Sequence, residues 1–225
     1  MRFYLYLAFV SLVFIIFVSG FYNKLILLAI FVLMTIKILQ FLKERERSIK
    51  HLALHDNLTG LPSRALVEER ASLALEMAQR NNNKFAIIFL DFDKFKNIND
   101  NFGHEVGDFL LKKMGQILTG CLRREDVVSR IGGDEFIVLL PEIRSRIDTV
   151  RIAQKILKCF NDPIYIQGKK IQIACSMGIS LYPDNARTLE EMFKKADVAL
   201  YTIKERGGNS FLIYYPALGT DFISV

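Results

Sequence analysis

The chain has 225 residues, of which 51% are hydrophobic and 24% charged, and it carries a formal net charge of +6. The hydrophobic content excludes a disordered chain, and the three cysteines and 13 glycines exclude a disulfide-rich scaffold and a collagen-like repeat. The mean hydropathy of +0.23 is high for this charge content, so we expect the apolar residues to be concentrated in one segment.

That segment is the N-terminus. Positions 3–23 carry no charged side chain, and a second apolar stretch at 25–42 is interrupted only by Lys37. Each stretch is long enough to cross a bilayer as a helix. We therefore predict a hairpin of two transmembrane helices, at about 3–22 and 25–42, within residues 1–42. A cleaved signal peptide is the alternative for the first stretch, although its apolar core would be shorter and no second span would follow.

Basic residues follow the second stretch. Residues 1–50 carry seven Lys or Arg against two Glu, which accounts for +5 of the net charge. Because basic flanks remain in the cytoplasm, we predict that both termini are cytoplasmic. The rest of the chain is nearly neutral, which argues against nucleic-acid binding, since that function needs positive charge on the folded domain.

The cysteines give no sign of a metal site or of a redox motif. Cys121, Cys159 and Cys175 are 38 and 16 positions apart, without a C-x-x-C pair. We predict three free, mostly buried thiols.

Beyond a continuing, mixed-charge helix at 43–55, patterns typical of helices and strands alternate along the chain. The predicted helices lie at 64–80, about 105–121, about 146–160 and 188–206. The predicted strands lie at 85–90, 126–130, 136–140, once or twice within 170–182, and at 210–215. This alternation predicts an α/β fold with a central mixed β-sheet surrounded by helices, in one domain at 56–215 that is followed by a tail at 216–225.

Acidic residues occupy two places that a ligand can reach. Asp91 and Asp93 follow the most apolar predicted strand, and Asp134 and Glu135 lie at the tip of a predicted hairpin, behind two glycines. Mg²⁺ is commonly held by one or two carboxylates together with substrate phosphates. A metal and nucleotide site is therefore one interpretation, while an ordinary turn and a plain hairpin are the other.

Longer motifs separate these interpretations. They are DNLTGLP at 56–62, DFDKFKNIND at 91–100, GHEVGD at 103–108, RIGGDEF at 130–136 and ADVALY at 196–201. In this order they resemble the GGDEF family of diguanylate cyclases, over residues 54–214. The resemblance implies a nucleotidyl-cyclase-like fold for the predicted sheet and helices.

The resemblance also implies a metal site. Asp91, the main-chain carbonyl of Phe92, Asp134 and Glu135 would hold Mg²⁺, or Mn²⁺ in its place, against the GTP phosphates. Asp134 and Glu135 would be the catalytic residues, with Asp134 helping to deprotonate the attacking ribose 3′-hydroxyl.

Four further residues match substrate contacts of the family. Asn99 and Asp108 match its guanine contacts, and a carboxylate that accepts N1–H and the exocyclic amine of guanine would favour GTP over ATP. Lys96 and Lys204 match positions that bind phosphate.

The implied reaction condenses two GTP into cyclic di-GMP and releases two pyrophosphates. Each domain would hold one GTP, so a homodimer is needed at least transiently. The protein would lie in the bacterial inner membrane as a multi-pass protein with its catalytic domain in the cytoplasm. The helix at 43–55 would either set the geometry of the dimer or act as a solvated spacer.

Arg123 and Asp126 match the R-x-x-D site through which the family binds cyclic di-GMP as an inhibitor, and a surface ion pair is the alternative. One position departs from the family, because Gly208 stands where an arginine that reaches the phosphates is expected. This departure favours the second functional hypothesis, a weak or inactive GGDEF protein that acts as a receptor for GTP or cyclic di-GMP.

Overall fold

The structure is a computed structural model, and it describes residues 2–166 and 168–215. The chain divides into two units, Met1–His51 and Leu52–Val225. The predicted tail at 216–225 lies outside the described residues.

The N-terminal unit differs from the predicted hairpin. Arg2–Leu54 form a single helix, α1, of 53 residues, and the predicted turn at 21–24 is helical. This interval contains no proline, and a glycine such as Gly20 is tolerated inside a helix, so the backbone hydrogen bonds continue through it. The two-helix, multi-pass arrangement is therefore not supported. Among the described residues, Asn23–Arg45 is the one stretch that is long and apolar enough to span a membrane, with a hydropathy of 2.6.

The second unit contains the other described helices and strands. The helices are α2 (Arg64–Asn81), α3 (Phe95–Phe102), α4 (His104–Cys121), α5 (Arg146–Cys159) and α6 (Leu189–Glu205). The strands are β1 (Lys84–Phe92), β2 (Val127–Gly132), β3 (Glu135–Ile143), β4 (Ile164–Ile166), β5 (Lys169–Ile171), β6 (Cys175–Tyr182) and β7 (Phe211–Ile213).

Five strands form a mixed sheet in the order β2-β3-β1-β6-β7. The central strand β1 pairs antiparallel with β3 and β6, and β7 pairs parallel with β6. The predicted α/β fold with a mixed central sheet is thus confirmed. Because both faces of β1 are covered, nearly all of its positions are apolar, which is the pattern of the FAIIFL run.

Different helices cover the two faces of β1. Ile88 and Leu90 pack into the larger core with side chains of α4 and α5. Phe85 and Ile87 pack into a second core with side chains of α2 and α6. The alternation follows from the two-residue period of a strand, and the sheet is therefore a middle layer whose ends are open to ligands.

Helix α6 lies directly on β6 because Gly178 has no side chain. A Cβ atom at Gly178 would lie 2.1 Å from the carbonyl oxygen of Ala196 and 2.2 Å from the amide nitrogen of Leu200. This close approach fixes the last turn of α6, which carries Lys204.

The structure adds a disulfide to the predicted fold. Cys121 and Cys159 are joined at the C-terminal ends of α4 and α5, whereas Cys175 is free and buried. The prediction of three free thiols is therefore wrong for the first two. The two cysteines belong to different helices that pack together, and a separation of 38 residues carries no spacing signal for such a pair.

Candidate active site

Three acidic residues lie near one another at one end of the sheet. Asp91 lies next to the last residue of β1, and its Cα atom pairs with that of Glu135 at the start of β3. Asp134 precedes Glu135 in the turn between β2 and β3, where Gly133 has a φ of +50° that favours glycine. Antiparallel pairing thus brings together two acidic motifs that are far apart in the sequence.

Asp91 has an unusual electrostatic environment. It is buried, with 6% of its surface exposed. Burial and, to a smaller extent, the negative charges of Asp134 and Glu135 raise its pKa to about 6, against the lowering effect of Lys204. A buried carboxylate with acidic neighbours is stabilised by a cation.

Lys204 supplies a positive charge at this place. Its Nζ atom lies 2.5 Å from Oδ2 of Asp91, and the exposed fractions of the two side chains are 38% and 8%. Lys204 belongs to the last turn of α6, where the free carbonyl groups of a helix favour a cation.

Asp93 serves the structure rather than the acidic cluster. It accepts a hydrogen bond of 2.7 Å from Oγ of Ser176 and one of 2.8 Å from the main-chain N–H of Asn209. Gly208, beside it, has a φ of +74°, and a Cβ atom there would lie 2.8 Å from Oδ1 of Asp93. Asp93 therefore ties the turn after α6 to β6 and leaves no room for a side chain at position 208.

A cavity of about 530 Å³ lies beside the acidic turn. This volume is in the usual range for small-molecule sites. The cavity is lined by Phe95, Lys96, Asn99, Asp108, Leu111, Arg130, Gly133 and Asp134, among others. The structure thus brings three of the four predicted substrate residues to one space that Asp134 also lines.

Asn99 lies in this cavity with an unused polar atom. Its Oδ1 atom is buried and has no hydrogen-bond partner among the described residues. Gly107 on α4 makes room for it, because a Cβ atom at Gly107 would lie 1.9 Å from Oδ1. A buried polar atom without a partner is costly, and this oxygen packs against Gly107, so a ligand would reach it only after the Asn99 side chain rotates.

Arg130 holds the acidic turn by hydrogen bonds to the main chain of Gly133. Its guanidinium donates to both carboxylate oxygens of Asp56, at 2.9 and 3.0 Å, and to the carbonyl of Gly133, at 3.0 and 2.8 Å. Burial raises the pKa of Asp56, but hydrogen bonds from Thr59 and Arg130 and the charge of Arg130 lower it below its ordinary value. Both residues lie in motifs quoted above, but 74 positions separate them and no local pattern predicts their contact.

The predicted regulatory pair lies at a separate place, in the turn before β2. Asp126 Oδ2 accepts a hydrogen bond of 2.9 Å from the main-chain N–H of Arg123. Both residues line a cavity of about 240 Å³ together with Arg151 and Lys155. Burial, which is the largest cause, raises the pKa of Asp126.

The side chains of the protein supply only part of the ligands that a metal ion would need. In the residues that the structure describes, no group of three or more His, Cys, Asp or Glu could hold a metal ion. The ring of Phe92 packs edge-on against Phe136 and Phe160, so only its main chain is free to face the acidic cluster. The oxygen donors fit a hard cation that takes further ligands from a bound phosphate and from water.

Comparison with known proteins gives the family. The family model for "Diguanylate cyclase, GGDEF domain" matches residues 53–210. The diguanylate cyclase TpbB of Pseudomonas aeruginosa is 40% identical over 170 residues, which are 75% of this chain and 39% of TpbB. MucR of the same species, a bifunctional diguanylate cyclase/cyclic di-GMP phosphodiesterase, is 37% identical over 180 residues, which are 80% of this chain and 26% of MucR.

The chain therefore spans between about a quarter and two fifths of the length of these curated relatives. Another relative, NbdA of Pseudomonas aeruginosa, is named a cyclic di-GMP phosphodiesterase and is 35% identical over 77% of this chain. The crystal structure of the GGDEF domain of TpbB is similar with a TM-score of 0.69 and 38% identity, over 70% of this chain and 99% of that chain. By its sequence and its fold, the chain belongs to the GGDEF family of diguanylate cyclase domains.

Proposed function

We propose that the protein is a diguanylate cyclase that condenses two GTP into cyclic di-GMP and releases two pyrophosphates. The observation that carries this proposal is that Asn99, Asp108 and Asp134 all line the same cavity. A guanine-binding wall and an acidic turn at one cavity are what a GTP-consuming transferase needs.

The polar side chains that line this part of the cavity favour guanine over adenine. The carboxylate of Asp108 can accept N1–H and the exocyclic amine of guanine, and adenine does not offer this pair of donors. The amide of Asn99 can exchange a hydrogen bond with the base. ATP would not pair with the carboxylate of Asp108 in this way, so GTP is the preferred substrate.

The acidic cluster is assigned to the reacting phosphate. We assign Asp91, the carbonyl of Phe92, Asp134 and Glu135 as the groups that would hold Mg²⁺ or Mn²⁺. The bound cation would neutralise charge that develops on the phosphoryl group. Asp134 and Glu135 are the catalytic residues, and Asp134 accepts the proton of the ribose 3′-hydroxyl. Lys96 and Lys204 bind phosphate oxygens.

Each domain has one such cavity, whereas the product contains two nucleotides. Two copies of the domain must therefore face each other during the reaction, as a homodimer. We propose that the apolar stretch Asn23–Arg45 anchors the chain to the inner membrane with the catalytic domain in the cytoplasm, where tethering raises the local concentration of the two copies.

Product inhibition is assigned to the cavity at Arg123 and Asp126. The guanidinium of Arg123 can bond the O6 and N7 edge of a guanine, and the neighbouring basic side chains Arg151 and Lys155 suit the phosphates of cyclic di-GMP. Substituting Arg123→Ala should raise the inhibition constant for added cyclic di-GMP and leave the initial rate unchanged. An unchanged inhibition constant would remove this assignment.

The cyclase assignment is tested by substituting the acidic turn. The full chain in detergent, supplied with GTP and Mg²⁺, should release pyrophosphate and cyclic di-GMP, and Asp134→Asn should lower the rate by at least about a hundredfold. The matched control is Asp162→Asn, the same change at an exposed position after α5, and it should keep the wild-type rate. Equal rates for the two variants would contradict the assignment.

The second candidate function is a receptor for GTP or cyclic di-GMP. The glycine at position 208 favours it, because one phosphate contact of the family is missing. Retention of Asp134 and Glu135 favours the enzyme, since a receptor has no need of metal-binding carboxylates. A dimeric, GTP-loaded sample that forms no product would establish the receptor.

A further inference from the structure

Lys204 contacts one carboxylate oxygen of Asp91, the residue that is proposed to hold a divalent cation. Its ammonium lies 2.5 Å from Oδ2 of Asp91 in the described structure. A metal ion at Asp91 and an ammonium at hydrogen-bond distance from the same carboxylate compete for its lone pairs and repel each other.

We propose that Lys204 is an internal counterion that neutralises Asp91 before the metal binds and moves to the substrate phosphates afterwards, so that metal and nucleotide binding assist each other. This inference rests on the proposed function, which supplies the metal and the phosphates. It gives Lys204 a role beyond phosphate binding, namely control of metal affinity.

The unequal burial of the pair supports this exchange. The side chain of Asp91 is 8% exposed, and it lies beside Asp134 and Glu135, so it needs a cation at all times. The side chain of Lys204 is 38% exposed, and its ammonium stands at the end of a flexible stem. The ammonium can therefore move away from Asp91 and remain in contact with solvent. The carboxylate is therefore the fixed partner and the lysine is the mobile one.

The rest of the site gives the released ammonium a destination. Gly208 offers no side chain to the phosphates, and the turn that contains it is held by Asp93. Lys204 lies just before this turn, on the last turn of α6. Phosphate oxygens draw Lys204 away from Asp91, and the cation then meets an unblocked carboxylate, which is a positive coupling between two ligands.

The test is a titration of the nucleotide-free full chain with Mn²⁺, followed by electron paramagnetic resonance of the free ion. In one buffer for all variants, Lys204→Met should bind Mn²⁺ at least about fivefold more tightly than the wild type. Lys194→Met is the matched control, because it removes the same charge from an exposed position of the same helix, and it should stay within about twofold of the wild type. Lys204→Arg keeps the charge and should also stay near the wild type.

Addition of GDP should tighten Mn²⁺ binding by a smaller factor in Lys204→Met than in the wild type. The proposal is overturned if Lys204→Met binds Mn²⁺ no more tightly than Lys194→Met. Circular dichroism checks the fold, and Lys204→Gln provides a second neutral variant if the methionine variant does not fold. The titration does not depend on turnover, so a wild type that makes no cyclic di-GMP would remove the proposed function, whereas equal Mn²⁺ affinities would remove only the role of Lys204.

Discussion

Two neighbouring regions of this domain use polar side chains in opposite ways. Next to the acidic turn, Arg130 donates hydrogen bonds to Asp56 and to the carbonyl of Gly133, and Asp56 also accepts a hydrogen bond from Thr59. In the adjacent cavity, Asn99 has a buried oxygen without a partner among the described residues. Both regions touch the same turn, yet one is complete and the other is not.

The difference separates support from recognition. In a network whose polar groups all have hydrogen-bond partners, removing one member leaves the others unpaired and should lower the stability of the fold. A buried polar group without a partner destabilises the free protein, and a ligand that bonds to it removes this penalty. Removing the group should therefore weaken ligand binding and leave the stability of the fold unchanged. The predictions below test this separation.

The largest effect is expected at Arg130. The exposed fractions of the Arg130 and Asp56 side chains are 11% and 22%, so Arg130→Met leaves a largely buried carboxylate without its counterion. We expect the free energy of unfolding, measured by urea denaturation, to fall by about 3 kcal/mol. The control is Arg64→Met, which breaks the exposed pair with Glu68 and should cost no more than about 0.5 kcal/mol. Equal losses would mean that the network adds nothing.

Asn99 should behave in the opposite way. Asn99→Ala removes the unmatched group, so we expect GTP binding, measured by calorimetry, to weaken by about 2 kcal/mol, or about thirtyfold. The free energy of unfolding should not decrease. Asn101→Ala makes the same change at an exposed position of the same helix and should leave GTP affinity as it is. A loss of stability without a loss of affinity would place Asn99 with the supporting network.

Gly208 lies in the turn after α6, which Asp93 holds through the main-chain N–H of Asn209. Gly208→Ala forces a side chain into a backbone with φ of +74° and against the carboxylate of Asp93, so thermal unfolding should show a loss of about 1 to 2 kcal/mol. Gly120→Ala is the control, because nothing lies within 4 Å of its Cβ position on α4, and it should be neutral or stabilising. Similar losses at both positions would contradict the structural role of Gly208.

The smallest effect concerns pH. Because the folded pKa of Asp56 lies below its unfolded value, its ionised form stabilises the fold above about pH 4, and this contribution is lost as the pH falls through the folded pKa. The difference in unfolding free energy between the wild type and Asp56→Asn should therefore shrink as the pH is lowered from about 5 to about 2. In an Arg130→Met background the pH dependence should be weaker. A difference that grows on acidification would reverse the sign.

The local patterns of the sequence predicted the layers of the fold because each depends on neighbouring residues. The apolar run at 85–90, which forms most of the central strand β1, is the clearest example. Helix α3 and the β4–β5 hairpin were not predicted, since α3 follows a backbone reversal at Lys94 with φ of +58° and the two strands have only three residues each.

The motifs predicted residues of the site, whose roles stay predictions, but they carried no signal for the contacts among these residues. Motifs named Asp91, Asn99 and Asp134, and the structure explains their proximity by antiparallel pairing and by the missing side chain at Gly107. The contrast between Asp91 and Asp93 could not be predicted, because their different partners, Lys204 and Ser176, are distant in sequence. The disulfide was missed because two cysteines on packed helices leave no local signal. The hairpin was predicted from the lengths of the two apolar stretches, although no proline breaks the helix between them.

The central claim is that one cavity binds the guanine base of GTP and places the GTP phosphates next to the acidic turn. The most direct measurement supplies the full chain in detergent with equal amounts of GTP and ATP and with Mg²⁺, and follows the nucleotides by mass spectrometry. We expect cyclic di-GMP and two pyrophosphates for each product molecule, with ATP left unconsumed. Bound GTP without any product, or equal consumption of ATP, would contradict the account.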